Sequence, residues 1–450
     1  MRSDYLGNPI SASSDAALAA VDTFVDGFLS YETRAAEVIG AAEAYPESVL
    51  LNAYAATLWL LLEAPEAAER AGPYLARARA AVGQAHPREQ AFVDFVTVWS
   101  TDDIPAALAI ADTILAAWPR DLLVLKLAQY HAFNRGDFPA MLRAASAVLP
   151  AAEDVAQLHG MLAFAYEQCH LLDDAEVAAR RALALKRQEP WAQHALAHVM
   201  LTQGRVAEGV AFLEGVRDTW TGLNSFMDTH LWWHLALFYL SQGRFDAALA
   251  LYDGHVWGQE KDYSQDQIGA VSLLARLELA GVDVGDRWDD VADRLAARAD
   301  DVVQPFLTLQ YLYGLARAGR PQADALLAAV RRAALDAPDH VRETWREVAL
   351  PAAEGLVAHA RGDYQSALRG LRAALPRLAE IGGSHAQRDL FEQLILDALI
   401  RDDRLSEAQQ ALELRRGFDP DGVPLNRALA RVYDRLGLPA EAAKARARIA

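Results

Sequence analysis

The chain has 450 residues, 53% of them hydrophobic and 23% charged, a globular balance far from disordered composition. Its 61 acidic and 43 basic residues leave a formal net charge of −18. Such a surface repels phosphate backbones and argues against nucleic acid as a partner. The single cysteine, Cys169, excludes an intrachain disulfide and a cysteine metal cluster.

The opening segment, Asp4-Tyr-Leu-Gly-Asn-Pro9, is a polar lead-in without the apolar core of a signal peptide. The apolar stretch ending at Leu62-Glu63 is too short for a bilayer span, which takes about 20 residues. A soluble, cytoplasmic protein without a membrane partner is the expectation. From Ser14 onward the hydrophobic period is helical, and no run alternates long enough to indicate strands. Pro46, Pro87, Pro119, Pro150 and Pro190 punctuate the chain at intervals that suit helix hairpins too small to bury their own faces.

The hairpins can be read in order. One carries Leu162-Ala163, Tyr166, Ala175 and Ala182-Leu183. The next has Leu196-Ala197, Gly204, Gly209 and Leu213, and a third has Trp232, Leu235-Ala236, Tyr239, Gly243, Ala248 and Tyr252. Residues 253–267, with two glycines and several aromatics, read as an irregular loop between hairpins, the kind of segment that often binds ligands. Gly281 to Gly285 ends a further helix. Later units repeat the scheme at Gly355, Gly362 and Ala367, at Ala408, and at Leu429-Ala430, Tyr433, Gly437 and Ala442. The fold class expected is an all-α, tetratricopeptide-like α-α superhelix (solenoid) in a single continuous array over 1–450, closing around a central groove.

The lead-in Asp4-Tyr-Leu-Gly-Asn-Pro9, the central Ala192-Gln-His-Ala-Leu-Ala-His198, Trp232-Trp233-His234 and Ile381-Gly-Gly-Ser-His-Ala-Gln-Arg-Asp389 together resemble the tetratricopeptide repeat protein 38 family. The similarity runs along nearly the whole chain. It implies a fold and a shared central site, and no reaction. Aligning the turn glycines Gly204 and Gly243 with the repeat register, the resemblance implies that His194, His198, His230 and Trp233 face the groove. Phe164 and Glu167 do so one hairpin earlier, and Lys126, Tyr130 and Phe133 one before that. His170 then stands where the turn glycine belongs.

The chemistry concentrates in the same region. His131, His159, His170, His194, His198, His230, His234 and His255 are eight of the chain's 12 histidines. Two pairs, His194 with His198 and His230 with His234, are spaced four apart and so share a helix face. Two readings follow. In the first, His194 and His198 chelate a divalent metal, with His230, His234 or Glu167 completing the shell, although neither pair holds the glutamate of the His-Glu-x-x-His motif. Alternatively, His194, His198, His230, His234 and Glu167 act without metal as acids, bases or hydrogen-bonding groups. The second is favoured, so no cofactor is expected. Satisfied core histidines are the bland alternative.

Trp233, Phe164, Tyr130, His131, Trp257 and His255 are candidate ligand contacts, since aromatic faces stack flat or cationic groups. Trp232 better suits packing between helices. Gly382-Gly383-Ser384 precedes a helix, and Ser384 with Gln387 forms a capping box; His385 and Arg388 would join if a carboxylate bound there. Cys169 as a nucleophile is disfavoured, because His170 diverges from it by about 100° around the helix. Binding of a small molecule or short peptide is the lead function, an enzyme (hydrolase or lyase) using the same histidines is the alternative, and a protein-interaction scaffold is the third. Nothing in the sequence fixes the oligomeric state.

Overall fold

The computed structural model describes residues 2–449. The helices are α1 (Asp15–Leu29), α2 (Val38–Ala44), α3 (Val49–Leu60), α4 (Ala67–Ala81), α5 (Pro87–Ser100), α6 (Ile104–Ala117), α7 (Leu122–Asn134), α8 (Phe138–Ala152), α9 (Ala156–Gln168), α10 (Leu172–Leu185), α11 (Pro190–Thr202), α12 (Val206–Val216) and α13 (Ser225–Ser241). There follow α14 (Phe245–Leu251), α15 (Ser264–Leu279), α16 (Arg287–Leu295), α17 (Pro305–Arg317), α18 (Gln322–Asp336), α19 (Asp339–Thr344), α20 (Leu350–Ala360), α21 (Tyr364–Ala374), α22 (His385–Arg401), α23 (Leu405–Arg416), α24 (Val423–Arg435) and α25 (Pro439–Ala447). The chain is all-α apart from a two-residue β-hairpin in the lead-in, where Arg2 pairs with Ile10 and Ser3 with Pro9. That hairpin and an isolated antiparallel bridge between Glu32 and Leu223 are the departures from the strandless expectation among the described residues.

The chain forms two compact units. One takes the residues up to Leu196 with Asp218–Met227; the other takes Ala197–Arg217 and the residues from Asp228 onward. In both, consecutive helices fold back on one another, as in the pairs α3–α4, α5–α6, α7–α8 and α9–α10, and in α15–α16, α20–α21 and α24–α25.

The turn inside each hairpin explains why the repeat is faint in the sequence. Gly136, Gly204, Gly243, Gly319, Gly362 and Gly437 all have φ between +66° and +80°, the left-handed conformation a tight helix–helix turn demands. In other hairpins the same conformation falls on Glu63, Asp102, His170 and Asp403, so the glycine signature is missing while the geometry persists. His170 therefore occupies the turn position the register assigned to it.

Other boundaries differ from expectation. Pro150 lies inside α8, which runs two residues further, because a proline near a helix end sacrifices only one interior hydrogen bond. The irregular segment is shorter than 253–267: the chain stays helical as a π-turn over Tyr252–Val256, and α15 starts at Ser264. Trp257 donates to Asp290 at 2.5 Å and Lys261 to the same carboxylate at 2.8 Å, which fastens the remaining loop.

Helices with neighbours on several sides are apolar nearly all round. Every residue of α17 from Pro305 to Ala316 is buried, and the helix packs on α15, α16, α18 and α20. Each fully buried Leu or Phe there contributes roughly 1.5–3 kcal/mol. Among the described residues no helix is long and apolar enough to cross a membrane.

The lead-in is docked in the first unit by polar groups. Asp4 accepts from the backbone N–H of Asn8 at 2.8 Å, and Asn8 Nδ2 donates to the Arg120 carbonyl at 3.1 Å. Behind them the buried Arg88 donates to Asp121 at 2.8 Å, with Asp4 at 3.8 Å. This buried triad ties the hairpin to α5 and to the start of α7.

Candidate functional site

In the first unit, α11 begins at Pro190, and Glu189 caps it by accepting from the Ala192 N–H. Glu189 is buried, and burial pushes its carboxyl up to about 7, against the Ala192 hydrogen bond and the charges of Lys126 and Lys186. Gly160 on α9 makes room for it, since a Cβ there would stand 2.6 Å from Glu189 Oε2. Lys126, from α7, donates to the Phe28 and Leu29 carbonyls at 2.6 and 3.2 Å, the negative end of the α1 dipole. Burial pushes its ammonium well below the usual lysine range, while the Glu189 carboxylate opposes the shift. Lys186 Nζ and Gln157 Nε2 donate to Ser30 Oγ at 2.9 and 3.1 Å.

Aromatic rings continue from this group. Tyr31 stacks on Trp191 at 5.1 Å, Trp191 on His194 at 4.4 Å, and Phe164 lies 5.1 Å from His194. Phe133 lies 5.6 Å from Phe164. The structure thus brings together His194, Phe164 and Trp191. Tyr130 and His131 belong to a different packing group: Tyr130 donates to Glu63 at 2.9 Å, and the His131 ring meets Trp99 edge-on at 4.7 Å. Burial, aided by the Arg135 charge, holds His131 at about 3, so it is neutral at ordinary pH. Glu167 is buried and accepts from Gln168 Nε2 at 2.6 Å. Burial and the charges of Asp137 and Glu167 push the Cys169 thiol up, against a thiolate nucleophile.

In the second unit, four imidazoles converge from three helices. His198 comes from α11, His230 and His234 from successive turns of α13, and His385 from the first residue of α22. His230 Nε2 and His234 Nε2 lie 3.3 Å apart. The His198 ring is 4.5 Å from that of His234 and 5.3 Å from that of His385, and Thr202 Oγ1 meets His385 Nε2 at 2.9 Å. His198, His230 and His234 each present a ring nitrogen, and these nitrogens lie within 4.8 Å of one another. His198 and His234 are fully buried, whereas His230 and His385 keep some surface. Burial pushes His198 down to about 3 and, with the neighbouring His198, pushes His230 to about 3 as well. Both are neutral at pH 7, the form that donates through one nitrogen and accepts or ligates through the other.

The cluster is framed by packed and hydrogen-bonded groups. Trp233 lies parallel to the His230 ring at 5.3 Å, and the Arg276 guanidinium stands 5.4 Å from the Trp233 ring. Arg276, buried on α15, donates to Ser272, and at 2.8 Å to the carbonyl of Ala386. It thereby fixes the α22 start that carries His385. The expected capping box is present, with Ser384 Oγ accepting from Gln387 N–H at 3.2 Å and Gln387 Oε1 from Ser384 N–H at 2.8 Å. Arg388 donates back to the Gly383 carbonyl. Burial alone would push Asp389 up, but Arg415 pairs with it and, with Arg276, holds it at about 2.

Trp257 and His255 are engaged elsewhere in this unit, Trp257 by Asp290 and His255 by stacking on Trp232 at 3.9 Å. Arg276, Thr202 and Glu189 escaped the sequence reading. A lone arginine inside the apolar run Ala270–Leu277, and a glutamate just before Pro190, were the available signals.

No family model matches the chain. Among solved structures it is similar to a human IFIT1 dimer with PPP-AAAA, at 13% identity over 99% of this chain and 96% of that one, with a TM-score of 0.42. It is similar also to the P58(IPK) TPR domain (12% identity, 81% and 92% covered, TM-score 0.21) and to yeast Tom70 (12%, 78% and 89%, TM-score 0.25).

Proposed function

We propose that this tetratricopeptide-like protein binds a small molecule at the imidazole cluster of its second unit, and that it is a relative of the tetratricopeptide repeat protein 38 family. The observation that carries the reading is the gradient of exposure across the cluster. His198 and His234 are fully buried, and His230 and His385 are partly open. A ligand reaching the inner pair must be narrow, which favours a small molecule over a peptide. Neutral imidazoles supply donors and acceptors in a dry setting, where each hydrogen bond discriminates strongly.

The test is mass spectrometry of small molecules released from the purified protein, beside the same preparation of His385→Ala. Recovery of a defined compound at near-equimolar ratio, lost in the variant with its helical circular dichroism intact, supports the reading. Recovery of the same compound from the variant, or of none from the wild type together with no thermal shift across a metabolite panel, overturns it.

A further inference from the structure

We propose that His198, His230 and His234 form a three-histidine site for Zn²⁺. The proposal rests on reading the cluster as a binding site, and adds which ion organises it.

The first support is a distance. Tetrahedral Zn–N bonds of about 2.0–2.1 Å set neighbouring ligand nitrogens about 3.3–3.4 Å apart. His230 Nε2 and His234 Nε2 are separated by 3.3 Å, one edge of such a tetrahedron. They occupy successive turns of α13, the spacing at which two imidazoles reach one ion. The third nitrogen comes from His198 on another helix, within 4.8 Å of both. A rotation about its terminal torsion, which is broad in histidine, closes that gap.

Donor type selects the ion. Imidazole suits Zn²⁺, whereas Ca²⁺ and Mg²⁺ require oxygen ligands. The stacking of Trp233 on His230 fixes the plane of one ligand, the orienting role that neighbours of metal-binding histidines play. His385 Nε2 is met by Thr202, and its ring stands 5.3 Å from that of His198.

The experiment uses the full chain. Protein treated with a chelator and dialysed is titrated with Zn²⁺, and in parallel with Co²⁺ as a spectroscopic probe. Binding of one ion per chain, with the visible bands of tetrahedral Co²⁺, is expected. His234→Ala and the milder His198→Asn should each weaken it by at least ~100-fold, and His340→Ala, on α19, should not. Absence of an equimolar site in the wild type, or equal affinity in wild type and in folded His234→Ala and His198→Asn, overturns the proposal. Small-molecule binding that survives chelation defeats the metal alone, whereas stoichiometric metal without any small-molecule ligand defeats the wider reading alone.

Discussion

Lys126 Nζ stands 3.3 Å from the centre of the Tyr31 ring while donating to two carbonyls at the end of α1. Its remaining charge partner is Glu189, whose carboxyl burial raises to about 7. A carboxyl with a raised folded pKa holds its proton longer in the native state. Its stabilising effect is complete below the unfolded value of 4.5 and disappears as pH rises through about 7. Urea unfolding across pH 5–8 should therefore show Glu189→Gln losing a slope of up to ~1.4 kcal/mol per pH unit that the wild type has. Identical slopes would show that Glu189 titrates normally.

His131 makes the opposite prediction. Its folded value is depressed to about 3, so its contribution is present above 6.5 and is lost as pH falls toward 3. Nε2 is buried without a hydrogen-bond partner among the described residues. His131→Leu should match or exceed wild-type stability at pH 7, by about 1 kcal/mol, and should resist acid better below pH 6. Destabilisation at pH 7 would mean that the imidazole is doing something its surroundings do not reveal.

The Arg88–Asp121 pair is both buried and placed on a helix start. Asp121 caps α7 through Val124 N–H at 3.2 Å and takes the Arg88 hydrogen bond through its other oxygen. Asparagine preserves the cap and removes only the charge. Asp121→Asn should cost about 1–3 kcal/mol in chemical denaturation, because Arg88 loses one buried charge partner and keeps the other, Asp4 at 3.8 Å. A loss below about 1 kcal/mol would show that solvent reaches Arg88.

Two turn glycines separate backbone strain from collision. Gly319 has φ of +66° and open space where a Cβ would go; Gly204 has φ of +69° but would set its Cβ 2.3 Å from the Phe418 carbonyl oxygen. Gly319→Ala should cost about 1–2 kcal/mol from the left-handed backbone alone. Gly204→Ala should cost a further 1–3 kcal/mol or so from overpacking, read as a lower thermal midpoint. Equal losses would mean that the segment at Phe418 yields freely.

The repeat period was legible because a hairpin array writes its core into local spacing, and because Gly204 and Gly243 sit at turns. His170, Glu63, Asp102 and Asp403 were not recognisable as turn positions without a register, since each pays a conformational cost that no composition rule anticipates. The candidate histidines were found from helix periodicity, which places His230 over His234. The frame around them was not, because Arg276 meets Ala386 across 110 residues and Thr202 meets His385 across 183, and nothing local encodes such pairings. The partners of Trp257 and His255, Asp290 and Trp232, were likewise not encoded in the local sequence.

From Pro305 to Ala316 helix α17 has no solvent-facing residue, and its cover arrives late. During synthesis it leaves the ribosome before α18 and α20, so the growing chain carries a sticky segment for the time needed to add roughly forty more residues, several seconds at ordinary elongation rates. Once α20 has closed over it, the same burial predicts the slowest amide exchange of the unit.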